Sequence, residues 1–355
     1  MIFLAHQQAG YVRNYRQCYQ WNLGFVQIPA DSASLLRHQF RSKVGGRPAW
    51  LDPVHLPAPE HLICNKTGKP LNFLLQVYAP PPQESPEAFH RVIFLFISQQ
   101  GSQLALPGAA KAFRCQLPRS NPYYSPEPPT PKQRLPPALQ AGQVAQVASI
   151  DPWQVVQHEA ALAAGETAAT LSADPPTGVQ LYKELEMLVE PESQGSTAGS
   201  DQESHVQQLV RDYEGMRGAE GELTEQDMPS ELLAEVEANQ TEDDRQFAHF
   251  AAVVAEAPGQ CLRYCFDEGA APLWPSCKHL PTPEDIPPCP HCGTPRRFEF
   301  QVLPQLLHHM DLDAEDPEGP DWGCIAVYSC PKSCSNFVST DKSAYTEEFV
   351  WVQMP

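Results

Sequence analysis

The chain has 355 residues, of which 42% are hydrophobic and 38 are prolines, and its formal net charge is −19. The length favours roughly two or three domains, and the apolar share is enough to bury at least one core, which excludes a wholly disordered chain. No apolar run approaches the ~18 residues of a membrane-spanning helix, and residues 1–20 lack the apolar core of a signal peptide. Eleven cysteines without a secretory signal favour metal ligands and free thiols over a disulfide framework.

The negative charge is concentrated in one central segment. Residues 1–120 carry 12 Lys and Arg against 5 Asp and Glu, whereas residues 181–257 carry 4 against 19. A segment this acidic repels nucleic acid and attracts basic proteins. The alternative is a solvated acidic linker whose charge keeps the protein soluble.

The first half of the chain contains one predicted β domain. Residues 1–20 are an N-terminal extension that we leave unassigned. Residues 21–125 form the N-terminal β domain, with strands predicted at Phe73–Tyr78 and Val92–Ile97, where apolar and β-branched residues cluster. Residues 126–180 are a Pro- and Ala-rich linker, because prolines fix φ and remove the backbone donors that strand pairing needs.

Residues 181–257 are predicted to hold a bridging strand, an acidic segment and a helix. The apolar stretch Leu181–Val189 predicts a strand that bridges the two β domains, which we expect to pack face to face. The polar residues that follow predict a partly disordered acidic segment. A helix is predicted near 242–256, because Thr241 can cap its N-terminus and acidic residues fill its first turn. One face of this helix is apolar: Phe247, Phe250, Ala251 and Val254.

Residues 258–355 form the second β domain. Strands are predicted at Phe298–Leu303, Ile325–Tyr328 and Phe349–Val352, and a short helix is predicted to start at Pro304. The predicted fold class is therefore α+β but mainly β. It consists of two related β-rich, zinc-ribbon-like domains with an acidic, partly disordered segment between them.

The two β domains contain an internal duplication. Residues 64–78, CNKTGKPLNFLLQVY, match residues 289–303, CPHCGTPRRFEFQVL, at six of 15 positions. Each matched segment is followed by a second strand-like run, at 92–98 in the first copy and at 324–330 in the second. The offset of 225 residues is too long for a solenoid repeat, so two related domains are the simpler interpretation.

The second copy carries a complete set of metal ligands. Cys289 and Cys292 are separated by two residues and followed by Gly293, and Cys330 and Cys334 end the next hairpin. Four thiolates in two pairs match tetrahedral Zn²⁺, and four protein ligands leave no open position for catalysis. We therefore predict one structural zinc ion in this domain. The alternative is four buried thiols in a hairpin core.

The first copy keeps only one of these ligands. Cys64 aligns with Cys289, but Thr67, Ser98 and Ser102 stand where the other three cysteines would align. Neutral hydroxyls are poor zinc ligands beside a single thiol. We predict a degenerate metal site, held by hydroxyl hydrogen bonds or apolar packing in place of the ion.

No sequence pattern indicates an enzyme. The chain contains no Walker-type phosphate loop, no G-x-S-x-G nucleophile elbow and no H-E-x-x-H metalloprotease motif. We can assign neither a nucleophile nor an acid–base pair, and therefore expect a binding protein. Among the remaining cysteines, Cys261, Cys265 and Cys277 are interpreted as free thiols.

Several long stretches of the two β domains are recognisable. They include FRSKVGGRPAWL at 40–51, FRCQLPRSNPYYS at 113–125, RRFEFQVLPQLL at 296–307 and DWGCIAVYSC at 321–330. These stretches resemble the programmed cell death protein 2 family. Many members of that family carry a MYND-type zinc finger after the position of Tyr124. Here the chain runs directly into the Pro-rich linker, so it resembles a member without that finger.

The resemblance implies a dedicated chaperone. Members of the family look like escorts for one newly made, basic protein of the small ribosomal subunit, the S-two protein (bacterial S-five type). They act during 40S assembly and rRNA maturation. An acidic protein can shield such a client by charge complementarity. We expect a monomer in the cytoplasm, with the nucleus as a second location, and no membrane or stable direct nucleic-acid contact.

Two hypotheses about function therefore remain open. For the chaperone, the candidate client contacts are the acidic residues of the predicted strand and helix: Glu184, Glu186, Glu190, Glu242, Asp243 and Asp244. The alternative is a zinc-ribbon nucleic-acid-binding protein or a transcription-associated scaffold, supported by a basic block that includes Arg37, Arg41, Lys43 and Arg47. The lack of interleaved basic and aromatic residues on one element speaks against the alternative. These basic residues could instead dock onto the acidic half of the same chain.

Overall fold

Strands form most of the regular structure. This computed structural model describes residues 20–81, 85–130, 133, 136–137, 139, 153, 177–192, 241–312, 316, 318–334 and 343–355. The predictions made for residues 1–19, for most of the linker 126–180 and for the acidic residues 193–240 lie outside the described residues.

Ten strands and two α-helices are found in the described part of the chain. The strands are β1 (Asn22–Gln27), β2 (Ser42–Val44), β3 (Asn72–Tyr78), β4 (His90–Ile97), β5 (Ala110–Leu117), β6 (Leu185–Pro191), β7 (Gln260–Tyr264), β8 (Arg297–Val302), β9 (Cys324–Ser329) and β10 (Tyr345–Gln353). The helices are α1 (Glu242–Ala255) and α2 (Gln305–His309). The prediction of a mainly β protein is confirmed.

All ten strands belong to one closed barrel. Their order is β1–β6–β2–β3–β4–β5–β10–β9–β8–β7, and β7 pairs back with β1. Every neighbouring pair is antiparallel. We call β2–β5 the first repeat and β7–β10 the second repeat. The repeats meet directly where β5 pairs with β10, and on the other side of the barrel β1 and β6 lie between them.

The closed sheet corrects the expected arrangement of the two halves. They join edge to edge in one barrel, whereas the sequence led us to expect two β domains packed face to face. The predicted strand near Leu181–Val189 is present as β6, and it lies next to β1 on the side where the repeats do not touch. The zinc-ribbon-like description and the disordered acidic segment stay predictions.

The two repeats share a backbone irregularity as well as their strand order. Each has a β-bulge in its second strand, marked by a shift of register between Phe73 and Leu75 and between Phe298 and Phe300. The residues at the two bulges, Leu74 and Glu299, are aligned in the duplication. A bulge bends the strand and redirects a side chain, so its recurrence at the same position supports a common origin of the repeats.

The inside of the barrel is one apolar core. Eight strands contribute buried residues, such as Ile93 and Leu95 on β4 and Ile325 and Val327 on β9, and β1 and β10 contribute partly buried ones. Side chains alternate between the two faces of a strand, so every second residue faces this core. Because both repeats bury side chains in this core, the hydrophobic effect stabilises the two repeats together.

The outer faces of the two repeats are covered to different extents. On the first repeat, the fully buried Trp50 packs on Phe94 and Phe96, with ring centroids 4.8 and 5.7 Å apart. On the second repeat, Phe298 and Tyr328 are buried, but the aromatic residues around them are only partly covered: Trp21, Trp274, Phe349 and Trp351. Aromatic side chains on the second repeat are therefore more accessible.

Gly45 allows the chain before β6 to pass close to the end of β2. Its φ is +63°, and a Cβ atom there would lie 2.0 Å from the backbone oxygen of Lys183. The neighbouring Gly46 donates its N–H to the carbonyl of Tyr182 at 2.9 Å. Any other residue at position 45 would have to push β6 away from β2.

A buried ion pair links the repeats inside the barrel. Arg91 on β4 and Glu299 at the bulge of β8 are both fully buried, and the guanidinium contacts both carboxylate oxygens, one of them at 2.8 Å. Ser329 and Tyr264 also donate hydrogen bonds to this carboxylate. Because both charges are removed from water, each depends on its partner for compensation.

Helix α1 packs with only part of its predicted apolar face. Thr241 and Asp244 form a capping box, as the sequence indicated for the N-terminus. Phe250 and Val254 are buried against Leu303, whereas Phe247 is 59% exposed. The helix is therefore attached to the barrel along a narrow stripe and presents an aromatic ring to solvent.

Removal of one member of the buried ion pair should destabilise the barrel strongly. We expect Glu299→Leu to lower the free energy of unfolding by about 3–5 kcal/mol, because the charge of Arg91 is left buried without a carboxylate. The double variant Arg91→Met, Glu299→Leu should recover most of this loss, since no buried charge remains. Urea denaturation followed by tryptophan fluorescence measures both values. A loss below about 1 kcal/mol in the single variant, typical of an exposed pair, would contradict the buried link.

Candidate metal centre

Four cysteines of the second repeat converge on one point. The sulfur atoms of Cys289, Cys292, Cys330 and Cys334 all lie within 4.8 Å of one another. The Sγ of Cys330 is 3.7 Å from that of Cys292 and 3.8 Å from that of Cys334. These four residues form the only group of metal-ligating side chains that we find in the described parts of the chain.

Two tight turns bring the sulfurs together. In the turn before β8, Gly293 donates its N–H to the carbonyl of Cys289 at 2.9 Å and has a φ of +67°. In the turn after β9, Ser333 donates to the carbonyl of Cys330 at 3.0 Å and has a φ of +48°. Because β8 and β9 are paired neighbours, the turns at this end of the hairpin face each other.

The donor set fits a metal ion. Four thiolate sulfurs at mutual distances below 4.8 Å can surround one soft or borderline cation tetrahedrally. Thr294 hydrogen-bonds to the thiol of Cys292 through its side chain and its backbone, and this lowers the pKa of Cys292 to about 6. A thiol that ionises this easily is ready to act as a ligand, because the thiolate is the form that binds metals.

The first repeat supplies the supports of this centre. Arg114 on β5 donates to the carbonyl of Cys334 at 2.7 Å, and Gln116 on the same strand donates to the carbonyl of Ser333 at 2.7 Å. Arg114 also binds the buried carboxylate of Glu348 on β10 at 2.8 Å, and the same carboxylate accepts the N–H of Cys330 at 3.3 Å. The turn that carries two of the four ligands is thus held by both repeats at their shared seam.

Sequence reasoning missed these supporting residues. Arg114 and Gln116 on β5 and Glu348 on β10 alternate with side chains of the opposite face, and no local motif marks them. A charged or amide side chain in the inward-facing register of a buried strand is the signal that could have indicated them, because such groups are rarely buried without a partner.

The equivalent turn of the first repeat has the same backbone without the other cysteines. Gly68 donates to the carbonyl of Cys64 at 3.0 Å and has a φ of +65°, as Gly293 does in the second repeat. Cys64 is buried in an apolar cluster, and its thiol has a hydrogen bond with the side chain of Thr67. The turn is also tied to β5, since the buried Lys111 donates to the side chain of Asn65 at 2.9 Å.

The two serines aligned with Cys330 and Cys334 behave differently from each other. Ser98 is buried and its hydroxyl accepts the N–H of Gln100 at 3.2 Å, whereas Ser102 is exposed. Hydrogen bonds and apolar packing therefore hold the turn where the second repeat has four sulfurs. That this degenerate site takes no metal stays a prediction.

The other cysteines that the sequence singled out lie apart from the four-sulfur group. Cys261 belongs to the barrel core, and burial raises its pKa to about 12. Cys265 is buried close to Asp267, and Cys277 is partly exposed with its sulfur 3.3 Å from Asp243. A thiol with a raised pKa is a poor nucleophile at neutral pH.

The predicted client contacts occupy two separate elements, and most have partners within the chain. Glu184, immediately before β6, pairs with Lys43, and Glu186 on β6 pairs with Arg41, whereas Glu190 is exposed. At the start of α1, Asp244 takes part in the capping box and Asp243 pairs with Lys278 at 2.8 Å, whereas Glu242 is exposed. The structure places these six residues at two sites, and Glu190, Glu242 and Asp244 are the exposed members.

The basic block that supported a nucleic-acid-binding role is engaged inside the protein. Arg37 donates to the carbonyl of Pro137 at 3.1 Å, and Arg47 donates to that of Trp153 at 2.7 Å. Lys43 and Arg41 contact the acidic residues in and before β6 already described. Three of the four basic side chains are buried, and only Arg41 remains half exposed. They do not form an open basic surface.

Comparison with known proteins identifies the relatives of this chain. Family models for the N-terminal and the C-terminal domain of programmed cell death protein 2 match residues 20–131 and 244–354. Programmed cell death protein 2 of Mus musculus is 36% identical over 354 residues, covering 93% of this chain and 95% of the mouse protein. The chain belongs to the programmed cell death protein 2 family. Within this family, the two matched regions contain the first and the second repeat.

More distant members of the family and one fungal protein are also similar. Programmed cell death protein 2-like of Homo sapiens is 28% identical over 330 residues, covering 82% of this chain and 85% of the human protein. Probable 20S rRNA accumulation protein 4 of Schizosaccharomyces pombe is 28% identical over 120 residues, or 31% of this chain. No solved structure gave a significant match. Neither helix in the described residues has the length and apolar character needed to cross a membrane.

The two aligned cysteines Cys289 and Cys64 allow a matched test of the metal centre. We expect one metal ion per chain in the wild type and in Cys64→Ser, and none in Cys289→Ser, because only the second repeat offers four sulfurs. The melting temperature should fall further in Cys289→Ser than in Cys64→Ser, since a bound structural metal contributes directly to folding. Native mass spectrometry and differential scanning calorimetry measure the two properties. Two ions per chain, or loss of the ion from Cys64→Ser, would contradict the assignment.

Proposed function

We propose that this protein is a dedicated chaperone for a newly made, basic protein of the small ribosomal subunit, the S-two protein (bacterial S-five type). It would act in 40S assembly and rRNA maturation. The observation that carries the proposal is membership of the programmed cell death protein 2 family, together with similarity to a fungal protein named for 20S rRNA accumulation.

The charge of the chain supports a basic client. The formal net charge is −19, and residues 181–257 hold 19 Asp and Glu against 4 Lys and Arg. A ribosomal protein that has not yet met its RNA carries many unpaired cations, and an acidic partner attracts it over a distance set by ionic strength. The rRNA, a denser polyanion, would then compete for the client and release it.

We further propose that the metal of the second repeat is zinc. Four cysteine sulfurs and no oxygen or nitrogen donors in the group suit Zn²⁺, which favours closed tetrahedral thiolate sites in a structural role. A zinc ion bound by the four sulfurs would join Cys289 and Cys292 to Cys330 and Cys334. It would thereby fasten the turn before β8 to the turn after β9. We assign the metal no catalytic part and propose a binding protein that is not an enzyme.

The chaperone hypothesis is better supported than the nucleic-acid-binding alternative. The alternative rested on Arg37, Arg41, Lys43 and Arg47, and these side chains are engaged within the chain. An RNA-binding surface needs accessible Lys and Arg to replace the counterions of the phosphates. We propose that the protein acts as a monomer in the cytoplasm, where ribosomal proteins are made, with the nucleus as a second location.

Client binding provides the test of this function. We expect the purified chain to bind the S-two ribosomal protein with an affinity that falls as salt rises, and to bind an equally basic protein of the large subunit far more weakly. Neutralising the eleven Asp and Glu between residues 201 and 237 to Asn and Gln should lower the affinity at least tenfold at low salt and flatten the salt dependence. Isothermal titration calorimetry at several salt concentrations measures these effects. Equal binding of both ribosomal proteins, or tighter binding of an rRNA fragment than of the S-two protein, would contradict the proposal.

A further inference from the structure

A cleft of about 700 Å³ opens between helix α1 and the second repeat. It is lined on the helix side by Phe247 and Phe250, and on the barrel side by Trp322 and Met354. Prolines 275 and 304 complete its apolar lining. The volume lies within the range of roughly 300–1,000 Å³ that is usual for binding pockets, and is large enough for one big apolar side chain and its neighbours.

The walls of the cleft are fixed by hydrogen bonds. Asp243 on α1 accepts from the hydroxyl of Ser276 at 2.6 Å and from the N–H of Cys277 at 2.9 Å. Gln246, one turn further along the helix, donates to the carbonyl of Trp274 at 2.7 Å. Gln353 of β10 donates to the carbonyl of Ser276 at 3.0 Å. The loop between the two walls is thus bound to both, and the cleft is largely formed before any partner arrives.

An exposed aromatic ring stands at the mouth of the cleft. Phe247 is 59% exposed, while Phe250, with a ring centroid 6.3 Å away, is buried. The exposed part of the Phe247 ring and the apolar lining of the cleft are surfaces that a bound partner can still remove from water. Aromatic residues in such positions often contribute most of the binding energy at protein interfaces.

Trp322, on the barrel side of the cleft, has a buried hydrogen-bond donor without a partner in the described part of the chain. Trp322 is fully buried, and its indole Nε1–H has no hydrogen-bond partner among the described residues. A buried tryptophan N–H normally donates to an acceptor, and leaving it unpaired costs free energy.

The charge around the cleft is negative. Asp243, Asp244 and Asp321 line it, and Lys278 is the one cation of the lining, neutralised by Asp243 at 2.8 Å. Glu242, adjacent in sequence, is exposed at the N-terminus of the helix. The rim therefore favours a partner that carries cations on either side of an apolar group.

From these observations we infer that the cleft binds a segment of the basic client in which one large apolar side chain is flanked by Lys or Arg. The apolar side chain would lie between Phe247 and Met354, and the flanking cations would face Asp244 and Asp321. This inference rests on the proposed chaperone function and specifies where the client is gripped. The acidic stretch 193–240 would then attract the client, and the cleft would fix its position.

Charge argues against two of the occupants that the molecule itself could supply; the basic residues 1–19 are a third and are an outcome of the test. Residues 193–240 of the same chain contain eleven Asp and Glu and two Arg, so the acidic rim would repel them. A second copy of the chain carries a net charge of −19 and would be repelled in the same way. A cationic partner avoids both penalties.

The test compares Phe247→Ala with Ile28→Ala, a substitution of another exposed apolar side chain that does not line the cleft. Two probes are used: the S-two ribosomal protein, and a twelve-residue peptide with one Phe flanked by Lys and Arg. We expect Phe247→Ala to weaken binding of both probes at least tenfold and Ile28→Ala to change it less than twofold. Melting temperatures of both variants should match the wild type, since both side chains are exposed.

The outcomes separate the cleft from the wider function. Asp321→Lys should also weaken both probes and reduce the salt dependence of their binding. If the wild type binds the client and neither Phe247→Ala nor Asp321→Lys weakens that binding, the cleft is ruled out as the client site. The proposed chaperone function is then unaffected. If instead the wild type fails to bind the client but binds the peptide, and Phe247→Ala weakens the peptide binding, the chaperone function is contradicted. The cleft then remains a site for a basic, apolar segment. A photo-crosslinker at position 247 that labels residues 1–19, residues 193–240 or a second copy would overturn the inference.

Discussion

Arg114 lies where the two repeats and the candidate metal centre meet. Its guanidinium contacts the carbonyl of Cys334 and the carboxylate of Glu348, so one side chain of the first repeat supports a metal-ligand turn and a strand of the second. A closed antiparallel barrel has no free strand edge only when every neighbouring pair of strands is formed, including the seam where the two repeats meet directly. Here that seam is β5 with β10, and buried charges on both sides of it must be paired. The two turns of the candidate metal centre, residues 289–294 and 330–334 (the metal turns), the seam and the paired charges therefore stabilise one another.

The repeats use one backbone for two kinds of stabilisation. The turns at Gly68 and Gly293 have nearly the same φ and the same hydrogen bond to the preceding cysteine carbonyl. In the second repeat four sulfurs then gather around one point, whereas in the first Lys111 ties the turn to its strand. A small turn can be held by a metal or by buried polar contacts, since either one compensates the entropy lost on ordering it. The first repeat thus holds by packing and hydrogen bonds the turn that in the second repeat carries the candidate metal ligands.

Sequence patterns predicted six of the ten described strands and both helices, missed β1, β2, β5 and β7, and did not predict the long-range arrangement. Strands with a continuous apolar run, such as Val92–Ile97, and the capped helix after Thr241 were predicted because their signals lie within a few residues. The short strand Ser42–Val44 was missed, since three residues carry no periodicity. The pairing of β5 with β10 joins residues more than 200 positions apart, and no local pattern encodes it. The four cysteines were found from spacing alone, whereas their support by Arg114 depends on that distant pairing.

The same arrangement links stability with binding. The second repeat carries the metal turns, the more accessible aromatic side chains and the acidic cleft, so an intact second repeat is a condition for each proposed contact. Hydrogen exchange of the whole chain, with and without a chelator, tests the coupling most directly. We predict that metal removal raises exchange in the metal turns and also at amides 112–115 and 345–348 of the seam, across both repeats. Faster exchange confined to residues 289–294 and 330–334, with the seam unchanged, would contradict the account.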